Sequence, residues 1–348
     1  MRKLFQGKNL IYTIGALVLI VVAAVFIKVP MPTISLPAEQ IPGLYIFGFP
    51  ITNTFIATIL ADITVLVIGF LAVRKMKDVP TGFLQNIMEW VVEIFDGMLT
   101  DIGGKAKARA WLPMFLTLLL FLLFANWWEL VPGFDSIGVM EPVEVAYAKM
   151  GVTSGYETSE TPVLGITTLV ADQVQLTKAE QAHIDEEVLH AEETGHEYHP
   201  EDAKGYVLVP FLRAAATDLN LTIGLALLVV VLSHIIGFRR FGLKYMRRFA
   251  MPDITGSKPI DIIVGLLELF AEFAKIVSLA FRLFGNIFAG QVLLFVMAFL
   301  LAFLLPLPFM GFELFVGFMQ AFVFAILAFI YFEQATHDYS GSDDDEHH

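Results

Sequence analysis

The chain contains no cysteine, which excludes disulfides and thiolate metal sites and leaves the redox compartment undetermined. Charge is scarce: Asp, Glu, Lys and Arg make up only 16% of 348 residues. No GxxxxGK[ST] loop occurs, so no phosphate-cradling nucleotide site is readable. No repeat of roughly 20–50 residues is apparent, which removes solenoids and propellers from consideration. The net charge of −13 argues against nucleic-acid binding. It is also unevenly spread. The acid is gathered in two polar stretches, about 135–202 and the tail GSDDDEHH, while the short loops between apolar runs are basic.

Apolar residues fill the rest. Hydrophobic residues reach 57% and mean hydropathy is +0.70, values of a polytopic membrane protein rather than a soluble domain. Apolar windows of about 20 residues predict spans at about 10–28, 50–73, 111–131 and 208–237. A very long tract follows at about 260–304, then a last span at about 310–334. Six spans place both termini on one side. The basic clusters agree: Arg2, Lys3 and Lys8; Arg74, Lys75 and Lys77; Lys105, Lys107 and Arg109; Arg239, Arg240, Lys244, Arg247 and Arg248. All fall inside if the N-terminus is inside, and the acidic insertion then falls outside. Span one has the basic start of a signal peptide. It lacks a small-x-small site before Val29 and Pro30, so a retained helix is expected.

Two polar segments need their own reading. Residues 83–102, FLQNIMEWVVEIFDGMLTDI, place apolar residues at 83, 84, 87, 88, 91, 94, 95, 98 and 99, with Gln85, Asn86, Glu89, Glu93, Asp96 and Asp101 between them. That is amphipathic helix periodicity, expected along the inner membrane surface or packed on the bundle. Within 133–205, His183, His190, His196 and His199 raise the question of a metal. Their spacings of 7, 6 and 3 fit no tight ligand motif, and AEQAHIDEEVLHAEE reads as a solvated face. No metal site and no cofactor is expected.

The most informative residue is Arg282, in the run SLAFRLFGNIFAG within the long tract. A cation at the bilayer centre costs roughly 3 kcal/mol on insertion scales and marks a functional site by default. Arg cannot shed its charge to escape that cost. Glu268, Glu272, Lys275, Ser278, Arg282 and Asn286 follow spacings of 4, 3, 3, 4 and 4, which puts them on one helical face. Such a seam marks an ion or substrate pathway. Gln291, nine residues past Arg282, points the opposite way at 100° per residue. Glu313 and Gln320 share a face of the last span, and Asp218 and Asn220 lie about a third of the way into span four. Each alone reads as helix-to-helix glue; with the seam they read as the lining of a hydrated cavity. The tract is over-long: 45 helical residues cover roughly 65 Å, about twice a 30 Å hydrocarbon core. It must kink or tilt. No carboxylate obviously neutralises Arg282, since Glu268 and Glu272 lie fourteen and ten residues away beside Lys275. An acid on another subunit is one answer.

The run RLFGNIFAG with SLAF before it closely resembles the signature of subunit a of F-type ATP synthases. LRAAATDLN resembles the opening of that family's fourth helix, LLELFAEFAKIVSLAFRLFGN its long penultimate helix, and ELFVGFMQAFVFAILAFIYF its last. The resemblance covers roughly 50–335. It implies that Arg282 is the essential arginine facing a rotating ring of c subunits, each supplying an ionisable carboxylate. It implies that Glu313, Gln291, Asn286, Gln320, Asp218, Asn220, Glu268, Glu272, Lys275 and Ser278 line the proton path. Where many bacterial relatives carry an acid after AG, this chain has Gln291; where they often have His in the last helix, it has Glu313. Glu313 then becomes the main titratable group of the outer half-channel.

The fold class expected is an all-α polytopic membrane protein, with about six membrane helices, a long tilted helical hairpin and one amphipathic inner-surface helix. The organisation expected is an N-terminal membrane helix and outer linker (1–49), two membrane helices with an interfacial helix (50–132), and a polar acidic extramembrane insertion (133–205). Proton-channel helices (206–335) and an acidic inner tail (336–348) complete it. The resemblance implies a bacterial inner-membrane subunit with both termini cytoplasmic and 133–205 external. It also implies the c-subunit ring, peripheral-stalk b subunits, lipid and, indirectly, the soluble ATPase sector as partners. Any ATP chemistry would belong to other subunits. A stand-alone transporter would show internal repeats and broken helices, and a scaffold would not need the polar seam.

Overall fold

A computed structural model describes residues 15, 38–46, 48–74, 76–79, 82–161, 166–194, 198, 200, 203–246, 249, 258–301 and 304–336. In chain order these form strands β1 (Gln40–Ile46) and β2 (Phe49–Thr52), then helices α1 (Asn53–Val73), α2 (Phe83–Gly103) and α3 (Lys105–Trp127). A mixed segment follows: β3 (Gly138–Pro142), α4 (Val143–Met150), β4 (Ser154–Thr161), β5 (Ile166–Gln175), α5 (Lys178–Thr194) and β6 (Tyr206–Pro210). The chain ends in α6 (Leu219–Phe241), α7 (Lys258–Leu300) and α8 (Pro306–Ala335).

Five helical stretches are long and apolar enough to cross a membrane: Asn53–Val73, Lys105–Leu130, Leu219–Met246, Pro259–Leu300 and Pro306–Ala335. They correspond to the last five predicted spans; span one at 10–28 lies outside the described residues, as does the acidic tail. The molecule is mostly helical, as expected. The helix of span four begins at Leu219 rather than near 208, because β6 and a 3-10 turn at Ala215–Thr217 occupy its apolar start. The long tract is one uninterrupted helix of 43 residues, about 65 Å at 1.5 Å per residue. No described break relieves the length, so α7 exceeds the thickness of a hydrocarbon core of about 30 Å. Pro306 opens α8, where a missing N–H costs nothing and the fixed φ suits the first turn.

The chain divides into two compact units. One comprises Met1–Ala57, Trp128–Ala214 and Phe288–Val316. Its segment 138–210 departs from the all-helical expectation: β3, β6, β4 and β5 form a four-stranded antiparallel sheet in that order. YVLVP and ITTLVADQVQ are rich in β-branched residues, which suit a pleated, half-buried surface. The sheet and the two short helices share a core of Val143, Ala146, Leu176, Ile184 and Val207. α5 confirms the solvated-face reading, with Ile184 buried and most of its acidic residues exposed. His183 lies 3.5 Å from Glu187 one turn on; His196 and His199 lie outside the described residues.

The other unit comprises Thr58–Trp127, Ala215–Ile287 and Gly317–His348. Its interior is aromatic. Phe115 meets Phe329 and Phe332 edge-on at 5.4 and 5.0 Å, and Trp111 meets the same two rings at 5.9 and 5.7 Å. Ala321, Ala325 and Ala328 are fully buried, since small residues let membrane helices approach closely. Gly104 (φ +78°) is the single residue between α2 and α3, and its N–H closes α2 on the Thr100 carbonyl at 2.9 Å. A positive φ is what glycine adopts at no steric cost. α2 buries Gln85, Phe95 and Leu99 and leaves Phe83, Ile87, Trp90 and Ile94 exposed at spacings of 4, 3 and 4. One face therefore packs on protein and a second apolar stripe is free to face lipid. The buried residues fit the bundle-packing reading.

Candidate functional site

In the first unit, polar side chains gather around the C-terminal part of α7. α8 places Glu313 so that its carboxylate lies directly over the backbone of Gly290, where any Cβ would collide with it. Gln291 follows, buried, and its Nε2 donates to Asp135 Oδ2 at 3.2 Å. The 3-10 turn after α3 contributes Glu129, also buried. Arg213, buried just after β6, acts electrostatically on both Glu129 and Asp135. Burial pushes the Asp135 carboxyl up to about 6. The Gln291 hydrogen bond and the Arg213 charge work against that rise, while the Glu39 carboxylate adds to it.

Several of these acids are orphaned. Both carboxylate oxygens of Glu129, Oε1 of Glu313 and Oδ1 of Asp135 are buried with no hydrogen-bond partner among the described residues. Buried polar atoms are ordinarily satisfied, and an unpartnered carboxylate is costly in a low dielectric. Groups like these take up protons or water. The arrangement therefore suits proton passage.

In the second unit, the N-terminal part of α7 carries the seam. Asn286 Nδ2 donates to Gln320 Oε1 at 2.7 Å, while Gln320 Nε2 stays buried without a partner. Lys275 Nζ donates to Glu272 Oε1 at 2.8 Å and to Gln334 Oε1 at 3.3 Å, and sits 5.1 Å from the Tyr331 ring centroid. His234 of α6 reaches the other Glu272 oxygen at 3.8 Å through Nε2 and Tyr245 Oη at 2.8 Å through Nδ1. Glu272 is therefore held by Lys275, with His234 close by.

The seam also winds. Glu272 is buried and Glu268 and Lys275 are half-buried, whereas Ser278, Arg282 and Asn286 are exposed. Spacings of 3 and 4 drift around a 3.6-residue helix, so six positions on one broad face do not meet one environment. Gln291 is buried while Arg282 is exposed, as their opposite directions require. Among the described residues no carboxylate pairs with Arg282. The missing acid that the sequence pointed to is not supplied by the described part of this chain.

The sequence model of the ATP synthase A chain family matches residues 54–333. That range covers the five described spans but for their outermost residues, and nearly all of both polar clusters. The chain belongs to the ATP synthase A chain family. It is a multi-pass membrane protein, the proton-translocating stator subunit of ATP synthase, and it works with the c-ring and the rest of that complex.

Within this family member, the structure brings together Glu313 with Gln291's neighbourhood, and Asn286 with Gln320. Asp218 is instead the N-cap of α6: its Oδ1 accepts from the Asn220 N–H at 2.8 Å. That places it at the helix start rather than a third of the way into a span, with Asn220 exposed beside it. Sequence reasoning missed Glu129, Asp135, Arg213 and His234. Glu129 and His234 carried a usable signal, an ionisable residue inside an apolar run (WWEL, SHII). Asp135 and Arg213 sit in loops, and only the fold brings them near Gln291 and Glu129.

Proposed function

We propose that this subunit carries protons along two half-channels that meet the c-ring separately, with Arg282 as the electrostatic gate. The carrying observation is Arg282 itself: a permanent cation, exposed in the middle of α7, that no carboxylate among the described residues neutralises. A carboxylate on each c subunit would complete the pair. Protons from outside would pass Asp135, Glu129, Glu313 and Gln291 and neutralise a ring carboxylate. The neutral acid then faces lipid at far lower cost than the ion.

After nearly a full turn the acid would lose its proton near Glu268, Glu272, Lys275 and His234, on the inner side. Asn286 and Gln320 would hydrate the approach to the ring, and Ser278 would line the inner side of the gate. Asp218 and Asn220 would act by fixing the start of α6. Arg282 stabilises the ionised acid and blocks direct passage of a proton between the halves. Each charge crossing 100 mV releases about 2.3 kcal/mol, the source of torque. The basic loops support cytoplasmic termini in a bacterial inner membrane, with 133–205 outside, and b subunits holding the chain against rotation.

Arg282→Ala tests the reading in inverted membrane vesicles. Proton-driven ATP synthesis should vanish while the subunit still assembles. Synthesis at the parental rate would refute the gate.

A further inference from the structure

The polar group around Glu272 contains a histidine that the seam on α7 does not account for. His234 is the sixteenth of the 23 residues of α6, just over one turn before the basic pair Arg239 and Arg240. Its ring is oriented from the far end of that helix. The chain leaves α6 through Gly242, at φ +59°, and a 3-10 turn (Gly242–Met246) brings Tyr245 back against the helix. Tyr245 is buried, and its ring presses on Gly237 so closely that any Cβ there would collide with it. Phe238 and Phe249 meet the same ring edge-on at 6.3 and 5.7 Å. From this seat Tyr245 Oη lies 2.8 Å from His234 Nδ1.

The other ring nitrogen, Nε2, faces Glu272 Oε2 at 3.8 Å, longer than a hydrogen bond. A histidine placed only to anchor the carboxylate would close that contact. Lys275 Nζ takes the second carboxylate oxygen, Oε1, at 2.8 Å. The His234 side chain is 33% exposed and that of Glu272 9%, so the imidazole is the more accessible of the two. The charged and titratable groups facing this ring among the described residues come from two elements: Glu272, with Lys275 behind it, from α7, and Tyr245 from the turn. α8 approaches the same group through Gln334 and Tyr331, both on Lys275.

We infer, resting on the two-half-channel reading, that His234 carries protons between Glu272 and the inner water, and that Tyr245 positions its ring for that step. An Nδ1–H donated to Tyr245 Oη leaves the neutral ring with Nε2 as its acceptor, aimed at Glu272. When Glu272 holds a proton on Oε2, that O–H bond breaks and an N–H bond forms at Nε2. Glu272 regains its negative charge beside Lys275, and the imidazolium gives the Nε2 proton to water and returns to neutral. Imidazole is the one side chain whose unperturbed charge change falls between about pH 5 and 8, so it can take and release a proton at neutral pH. Contacts that transfer protons tighten when the proton is in transit, which accounts for a resting gap of 3.8 Å.

The test is passive proton flux toward the inner face in inverted vesicles stripped of the soluble ATPase, normalised to the amount of assembled complex. The medium sets the inner pH, while lumenal pH and total driving force are held constant with a potassium gradient. A ring already protonated from the medium cannot accept from Glu272, so parental flux should fall as inner pH drops between about 8 and 5. His234→Gln should lower flux about 100-fold, the lower end of what a positioned proton-transfer group contributes, and should flatten that dependence. Tyr245→Phe keeps the ring in the Gly237 notch and removes only Oη. Flux should fall about fivefold, the worth of one hydrogen bond. The pH midpoint should move down, because the imidazolium needs an acceptor for both N–H groups and the neutral ring for one. A parental profile flat across this range, parental flux in His234→Gln, or a reduced flux that keeps the parental pH dependence would each overturn the role of His234. An unshifted midpoint in Tyr245→Phe would overturn that of Tyr245. Arg282→Ala vesicles assayed for ATP synthesis separate the two failures: continued synthesis there refutes the half-channel reading, whereas lost synthesis with an unchanged His234→Gln profile refutes the histidine step alone.

Discussion

Replacing Gly290 with alanine adds a single methyl group at the point where Glu313 rests on the α7 backbone. The added carbon would overlap the Glu313 carboxylate on both oxygens and on Cδ, so the acid must move or α8 must shift. Two effects oppose one another. Alanine is a better helix former than glycine by roughly 1 kcal/mol in a helix interior. Overpacking a tight site costs about 1–3 kcal/mol, and that cost falls on the position of the one group proposed to hand protons onward. If it is borne wholly by the proton-transferring arrangement, flux drops about 5- to 150-fold at 1.36 kcal/mol per decade. The assay is passive proton flux through the membrane sector in vesicles stripped of the soluble ATPase. Gly311→Ala is the matched control, since a Cβ there meets nothing within 4 Å, and its flux should equal the parent's. The double variant Gly290→Ala with Glu313→Asp shortens the acid by one methylene and should recover part of the loss. Parental flux in Gly290→Ala would refute the claim that Glu313 works from its seat on Gly290.

Three further outcomes follow from the same geometry. Glu313→Gln removes the titratable group and should cut proton flux by at least as much as Gly290→Ala, measured in the same vesicles. Asp135 has its carboxyl raised to about 6 by burial, so it gains a proton as outside pH falls through about 6 and is ionised above it. Gln291→Leu removes a hydrogen bond that favours the ionised form, so the pH midpoint of proton uptake should move upward; a downward shift or none would contradict the contact. Lys107 and Glu333 pair at 2.8 Å while partly exposed. Lys107→Ala should therefore lower stability by less than about 1 kcal/mol, read as the denaturant midpoint of the purified complex, and leave flux unchanged.

Membrane segments are legible in a sequence because their requirement is local. About 20 apolar residues must satisfy every backbone group internally whatever surrounds them. The five described spans, the surface helix at 83–103 and the cost of Arg282 were all readable on those terms. The sheet within 138–210 was not, because strands satisfy their backbones through distant partners: β3 pairs with β6 across more than sixty residues. The same limit governs the candidate site. The seam on α7 is a matter of period within one helix and could be counted.

What each member of the seam touches is decided by other elements. That His234 of α6 lies 3.8 Å from Glu272 is not readable from the spacing within α7. Asp135 and Arg213 carry no pattern of their own, and become part of the outer cluster only because loops 78 residues apart in sequence converge near Gln291 and Glu129. The sequence by itself thus determined that this is a membrane protein with an arginine in the middle of a long apolar helix and no carboxylate close to it along that helix. Tertiary structure alone decided which acids are paired and which are orphaned, since pairing is set by distances between segments that local propensity does not encode.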